Sequence, residues 1–425
     1  MVVEPPAGWR LEPLERVARV QTGIAKGLRG LVDPVEVPYL RVANVQDGYL
    51  DLTEVKTIAV ERGRVERYRV RPGDVLLTEG GDLDKLGRGT VWRGELPLCL
   101  HQNHVFVVRP DPEVLLPSFL SALAASAYGR RYFADRAKQT TKLASIDTRQ
   151  LKAFPVLVPP LADQRQIVRV LAAVDEAVEQ ARAVVEQVRV VRRGLREELL
   201  SRGLPGRHRD LRPTEVGPIP RGWQVATLGE LSERMFVGIA EAVTHAYVDR
   251  GGVPLVRTAD LRGGRIDGAA PMRISPAFAR RRASKALRAG DVVSARTGEP
   301  GKSALVPEAL HGAQCFSLLV TRPGPRLSGR YLCHVMSSSR GREIVARGKA
   351  GGVQQNLNVS VFRQARIGLP PREEQERICE VIAEIDERLA LEREGVEALE
   401  RLKSELMDGL LTGELRVRGA GDGAP

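Results

Sequence analysis

Residues 1–158 read as short apolar runs punctuated by glycine, proline and aspartate. Pro72-Gly73-Asp74-Val75-Leu76-Leu77 and Val105-Phe106-Val107-Val108-Arg109-Pro110 are typical, and the pattern predicts strands joined by turns. One Ala- and aromatic-rich stretch, Leu116 to Arg136, predicts helix. The texture changes at Pro159-Pro160, where proline suits the first turn of a helix. Beyond it, Ile167, Leu171, Val174, Val178, Ala181, Val185, Val188, Val191, Leu195 and Leu199 advance in mostly alternating steps of four and three, the seam of a coiled coil. The 42 residues from Leu161 to Arg202 would span ~63 Å as helix. After Pro370-Pro371 a second seam follows through Ile378, Ile382, Ile385, Leu389, Val396, Leu399, Leu406 and Leu410, interrupted near Glu392 to Gly395. A lone helix leaves such a stripe in water, so the two are expected to pack together, with Gly194 and Gly395 permitting close approach.

The chain also repeats itself. Gly8-Trp9 returns as Gly222-Trp223, and Val37-Pro38-Tyr39-Leu40-Arg41 as Val253-Pro254-Leu255-Val256-Arg257. Arg71-Pro72-Gly73-Asp74-Val75 returns as Arg288-Ala289-Gly290-Asp291-Val292. Gln164-Arg165-Gln166-Ile167 with Asp175 becomes Gln375-Glu376-Arg377-Ile378 with Asp386. Order is kept and the offset stays between 211 and 217 residues, too long a period for a solenoid. One domain-plus-helix unit occurs twice. Expected boundaries are 1–158 for the first domain, 159–203 for its helix, 204–219 for a Pro/Gly/Arg-rich linker, 220–369 for the second domain, 370–415 for its helix and 416–425 for a disordered tail.

Charge narrows the partners. The chain of 425 residues carries 65 Lys+Arg against 53 Asp+Glu, a net charge of +12, and only ten of the basic residues are lysine. Arginine pairs bidentately with phosphate and with guanine edges, so a polyanion, most commonly nucleic acid, is the expected partner. No apolar run approaches the ~18 residues of a membrane span. The amino terminus lacks a secretion-signal pattern, and the four cysteines form no CxxC pair. A cytoplasmic protein without a membrane partner is expected.

Catalytic chemistry is hard to find. No Asn/Asp-Pro-Pro-aromatic tetrapeptide of an amino-methyltransferase occurs, nor a Gly-x-Ser-x-Gly elbow. Gly298-Glu299-Pro300-Gly301-Lys302-Ser303 imitates a phosphate-binding loop but has Arg296 where the first glycine belongs. Cys99, His101 and His104 lack a fourth zinc ligand and have only Cys315 as a counterpart in the second unit. Asp47, Asp51 and Glu54-Val55-Lys56 faintly resemble a magnesium nuclease site, without a matching tripeptide in the second unit. The residues read as a chain that binds and positions.

Two variable domains, a Gly-Trp opening to each, and two Pro-Pro-x-x-x-Gln-x-x-Ile helices resemble the specificity subunit of type I restriction–modification systems. Pro159-Pro160-Leu161-Ala162-Asp163-Gln164-Arg165-Gln166-Ile167, Pro370-Pro371-Arg372-Glu373-Glu374-Gln375-Glu376-Arg377-Ile378 and the ending Leu406 to Leu415 carry the resemblance, which covers all but about the last ten residues. It implies an α+β architecture of two tandem α/β target-recognition domains joined by two long antiparallel coiled-coil helices with a pseudo-twofold repeat. It implies a non-catalytic chain in which each domain reads half of a bipartite, asymmetric site on double-stranded DNA, while the helices set the spacer and dock two modification subunits. S-adenosylmethionine, ATP and magnesium would then belong to those modification subunits and to motor–nuclease restriction subunits, with no cofactor in this chain.

Base reading needs Arg, Asn and Gln at base edges and Lys or Arg on phosphates. Candidate DNA-binding residues in the first unit are Arg41, Asn44, Lys85, Arg88, Lys138, Gln139, Thr140 and Lys142. In the second they are Arg257, Arg296, Lys302, Lys349, Gln354, Gln355 and Asn356. The alternative is a non-enzymatic coiled-coil scaffold joining two protein-binding domains, with incidental basic charge.

Overall fold

A computed structural model describes residues 4–27, 30–81, 86–139, 144–267, 272–348 and 358–417. The chain divides into two compact units, one of residues 1–182 with 394–425 and one of 183–393. Both hold the same three sheets. In the first unit, Ala18–Thr22, Val105–Pro110, Val75–Thr78 and Gly89–Val91 form an antiparallel four-stranded sheet in that order. The second unit repeats it with Ser232–Val237, Leu318–Pro323, Val292–Ala295 and Ser303–Leu305. A three-stranded sheet pairs Pro34–Leu40 antiparallel to Lys56–Glu61 and parallel to Leu100–His101. Its counterpart pairs Val253–Val256 with Met272–Ile274 and Gln314–Cys315 in the same senses. Finally, Arg10–Pro13 pairs with Pro155–Val158, and Gln224–Thr227 with Arg366–Leu369.

The repeated Arg-x-Gly-Asp turn explains part of this likeness. Asp74 N–H bonds the Arg71 carbonyl with Gly73 at φ 91°, and Asp291 N–H bonds the Arg288 carbonyl with Gly290 at φ 85°, a conformation open to glycine at little cost. The buried Asp74 carboxylate then accepts from Arg109 Nε and Nη2, each at 2.7 Å. Asp291 accepts from Arg322 Nε and Nη2, each at 2.9 Å. A charge removed from water is tolerable only with such bidentate pairing. Gly23 and Gly238 share a second constraint: a Cβ would lie 2.1 Å from the His101 carbonyl oxygen in one case and 2.4 Å from Cys315 Sγ in the other.

The first long helix is Leu161–Arg202 and the second Arg372–Thr412, and each contributes one end to each unit. In the first unit Ile167, Leu171, Leu410 and Leu411 join the core that holds Trp9, Phe119, Phe133 and Phe154. In the second, Leu199, Ile378 and Ile382 join the core around Trp223, Tyr331 and Phe362. Inter-helix ion pairs repeat too. Asp175 meets Lys403 in the first unit and Asp386 meets Arg192 in the second. An offset of 211 maps each pair onto the other.

The glutamine of the Pro-Pro-x-x-x-Gln motif ties each helix to its domain. Gln164 Oε1 accepts the Leu116 N–H at 2.8 Å, and its Nε2 donates to the Val114 and Pro159 carbonyls. Gln375 Oε1 accepts the Ser328 N–H at 2.8 Å, and its Nε2 donates to Arg326 and Pro370. Both side chains are fully buried. Leu116 and Ser328 are themselves the N-caps of the helices Pro117–Ala125 and Gly329–Met336. One amide therefore fixes the long helix and the start of a domain helix together.

Several expectations need correction. The helix expected over Leu116 to Arg136 is two, Pro117–Ala125 and Ala127–Arg136, because Ser126 adopts extended backbone and caps the second through its hydroxyl. Val191 is 58 % exposed, so the seam does not hold there. Neither Gly194 nor Gly395 mediates close approach: a Cβ on either would meet nothing within 4 Å. The segment read as a linker forms a small hairpin of Leu211–Arg212 with Ile219–Pro220, and His208 bonds the buried Glu374 at 2.7 Å. Most of the tail expected to be disordered lies outside the described residues.

Candidate nucleic-acid interface

Arg41 and Arg257 occupy the same position, the residue after an inner strand and before a short turn of helix. Arg41 N–H bonds Asn44 Oδ1 at 2.9 Å, and Arg257 N–H bonds Asp260 Oδ2 at 2.7 Å, so each turn is closed by the side chain three residues on. Asn44 is 2 % exposed and gives both amide protons to the Asp51 and Glu54 carbonyls. No edge of that amide is left for a base. Asn44 shapes the loop and is withdrawn from the candidate contacts.

The loop that follows packs on the hairpin bearing the next candidates. Gly48 N–H donates to the Gly89 carbonyl at 3.0 Å, beside Arg88. In the second unit Leu305 N–H donates to the Gly264 carbonyl at 3.2 Å, beside Lys302. Arg41 and Arg88 are thereby assigned to neighbouring loops of one unit, and Arg257 and Lys302 to those of the other. Arg88 is half-buried with its Nε lacking a hydrogen-bond partner, and the Nε atoms of Arg41 and Arg257 are alike in this. Arg41 also bonds the Glu54 carboxylate at 3.2 Å, which with Lys56 holds that acid below its ordinary range. Arg296, half-buried, ends the neighbouring strand Val292–Ala295. Lys138 is exposed and reaches Asp147 at 3.2 Å. Lys138–Gln139 pairs with Ala144–Ser145, which pairs with Gly80–Gly81, so this small sheet adjoins the end of the strand Val75–Thr78. Lys85, Thr140, Lys142, Lys349, Gln354, Gln355 and Asn356 lie outside the described residues.

The decoys resolve into ordinary structure. In the false phosphate-binding loop, the Glu299, Gly301 and Lys302 N–H groups are spent on the Thr297, Ala295 and Glu299 carbonyls. His101 is buried, its Nδ1 donates to the Val105 carbonyl at 2.7 Å, and burial lowers its pKa to about 4. Burial pushes the Cys99 thiol up to about 12, and exposed His104 bonds Glu79 instead. Asp47 pairs with Arg130, and Asp51 closes a turn on Thr53. Among the described residues, no three His, Cys, Asp or Glu side chains are placed to hold a metal, and no helix is long and apolar enough to cross a membrane.

Sequence reasoning passed over Arg192, Arg196, Arg265, Arg330 and Arg342, which gather around Lys302 in the second unit. The repeat held a signal for them. The first unit has Met407 and Ser118 opposite Arg196 and Arg330. Exposed Val184 and Val191, seven residues apart on one helix, were also missed as a surface feature.

A family model described as the Type I restriction modification DNA specificity domain matches residues 22–187 and 220–401. The putative type I restriction enzyme MjaX specificity subunit of Methanocaldococcus jannaschii is 22% identical over 419 residues, 98% of this chain and 95% of that protein. The EcoBI specificity subunit of Escherichia coli is 22% identical over 402 residues, 89% of this chain and 79% of its own. Among solved structures, a chain from work on complex assembly and conformational transition of the type I R-M system superposes with a TM-score of 0.68 at 19% identity, covering 97% of this chain and 100% of that one. The HsdS subunit from Thermoanaerobacter tengcongensis superposes with a TM-score of 0.53 at 18% identity, covering 97% and 98%.

Proposed function

The chain belongs to the type I restriction–modification DNA specificity family, a non-catalytic subunit, and on that premise we propose that each of its two units reads one half of a bipartite, asymmetric site on double-stranded DNA. The reading domains are assigned to residues 1–158 and 220–369. The two long helices set the number of unread base pairs between the half-sites and dock two modification subunits that carry S-adenosylmethionine. Restriction subunits using ATP and magnesium join for cleavage, and the assembly works in the cytoplasm.

The observation that carries this reading is the duplication with selective divergence. Sheets, Arg-x-Gly-Asp turns, buried glutamines and inter-helix ion pairs recur in both units. The side chains on the loops do not: Arg88 stands opposite Lys302 across the repeat, and Glu79 opposite Arg296. A common frame with unlike loops suits two unlike half-sites. Arg41, Arg88, Lys138 and Gln139 in one unit, and Arg257, Arg296 and Lys302 in the other, are the contacts assigned among the described residues. Lys85, Thr140, Lys142, Lys349, Gln354, Gln355 and Asn356 complete the assignment from sequence. Exposed Val184 and Val191 on the first long helix supply apolar area for a docked subunit.

An electrophoretic shift with mixed duplexes, at several salt concentrations and with the modification subunit present, tests the DNA reading. Affinity should fall with salt at a log–log slope of roughly 0.9 per phosphate contacted. Absence of binding at every salt concentration would refute it and favour a protein scaffold.

A further inference from the structure

Each unit carries a cavity at the same place, between its part of the long-helix pair and the domain helix Pro117–Ala125 in the first unit or Gly329–Met336 in the second. The one in the first unit measures about 520 Å³ and the one in the second about 680 Å³. The repeat makes each a control for the other. Arg192 corresponds to Lys403 and Asp386 to Asp175, the ion pairs already described. Around these pairs the two cavities differ in charge.

In the first unit the charges balance, with Arg93, Arg130 and Lys403 against Asp47, Asp175 and Glu400. In the second, among the described residues, Arg192, Arg196, Arg265, Lys302, Arg330 and Arg342 line the cavity with Glu299 and Asp386 as the only acids. Both of those acids are engaged, Asp386 by Arg192 and Glu299 by Lys302 at 2.9 Å. Arg342 reaches Glu197 only at 3.9 Å, and no ion pair of Arg265, Arg330 or Arg196 is found among the described residues. Arg196 is the sharpest case. It is 9 % exposed, and its Nε has no hydrogen-bond partner. Burial first, and Arg192 beside it, lower its pKa, so its cationic form is held at a cost. The first unit places Met407 there and avoids that cost.

We propose that the cavity of the second unit is a binding site for a phosphate-bearing ligand, held by the guanidinium groups of Arg196 and Arg330. Its volume falls within the roughly 300–1,000 Å³ of small-ligand pockets, and planar guanidinium forks match phosphate oxygens bidentately. The Glu299, Gly301 and Lys302 amides of the nearby loop are already bonded to carbonyls, so the binding is assigned to side chains. The phosphate comes either from the DNA backbone or from a free nucleotide or pyrophosphate. The DNA source rests on the function proposed above, and the free-phosphate source does not.

The test compares the full chain with Arg196→Met/Arg330→Ser, which copies the first unit's residues, in complex with the modification subunit. Inorganic pyrophosphate is titrated by calorimetry, and affinity for duplex DNA is measured against salt. Loss of pyrophosphate affinity by tenfold or more in the variant supports the free source. Unchanged pyrophosphate behaviour with weaker DNA binding and a salt slope lower by roughly 0.9 per lost contact supports the backbone source. Arg196→Lys, which keeps the charge but loses the planar fork, should restore only part of either affinity. If the double variant fails to fold, Arg330→Ser alone, an exposed position, should give a smaller loss of the same kind. No change in either titration overturns the site. Wild-type protein that binds pyrophosphate but no DNA would instead refute the DNA reading and leave the site standing.

Discussion

Replacing Gln375 with leucine should cost far more than a surface change, because the amide is spent entirely on backbone. It keeps about the same volume and removes three hydrogen bonds of 2.8–2.9 Å, to Ser328, Arg326 and Pro370. One N–H and two carbonyls are then left without that partner around a fully buried position. At the low end of about 1–3 kcal/mol for each orphaned group, the loss is about 3 kcal/mol. For a unit of this size that lowers Tm by roughly 6–12 °C. Urea denaturation followed by Trp223 fluorescence should show a lower midpoint at unchanged slope. Amide exchange at Ser328 should speed up, since its N–H loses its acceptor. A midpoint shift worth less than about 0.5 kcal/mol, with Ser328 still protected, would refute the reasoning. It would mean that the motif serves a docked subunit rather than the join between helix and domain.

Three further outcomes follow from buried charge and symmetry. Asp291→Asn should destabilise by about 3–5 kcal/mol because it strands a buried guanidinium, whereas Asp74→Asn should cost less, since the Arg109 side chain is 31% exposed against 9% for Arg322; equal losses by calorimetry would contradict this. Gln164→Leu should destabilise the first unit as Gln375→Leu does the second, and an unaffected first transition would break the equivalence. His101, neutral and buried, has a folded pKa of about 4 against an ordinary 6.5. The unfolded chain therefore binds more protons between those values, so stability falls as pH drops from about 6.5 to 4, by roughly 3 kcal/mol in all. His101→Gln should flatten that part of the urea-midpoint profile, and an identical profile would show that other groups set it.

The duplication and the long helices were legible because periodicity and recurring turns are local properties. Pro159-Pro160 and Pro370-Pro371 lead directly into helices beginning at Leu161 and Arg372. The seam failed at Val191 for a geometric reason: a 3.6-residue helix drifts from a strict alternation of threes and fours. Asn44 was misjudged because a polar side chain in a loop serves the loop's own backbone as readily as a ligand. The motif glutamines were visible as a signature, but their task depends on carbonyls about fifty residues away. The arginine-lined cavity was invisible for the same reason, since Arg196, Arg265 and Arg330 meet only once the sheet, the hairpin and the helix are assembled. Comparing the two units position by position would have exposed it.

The most direct measurement maps modified bases genome-wide in a methylation-free host that expresses this chain with its modification subunit. The account predicts a split motif with a fixed spacer, of which exchanging residues 1–158 for another reader changes one half and leaves the other. A continuous motif, or a change in both halves after that exchange, would contradict it.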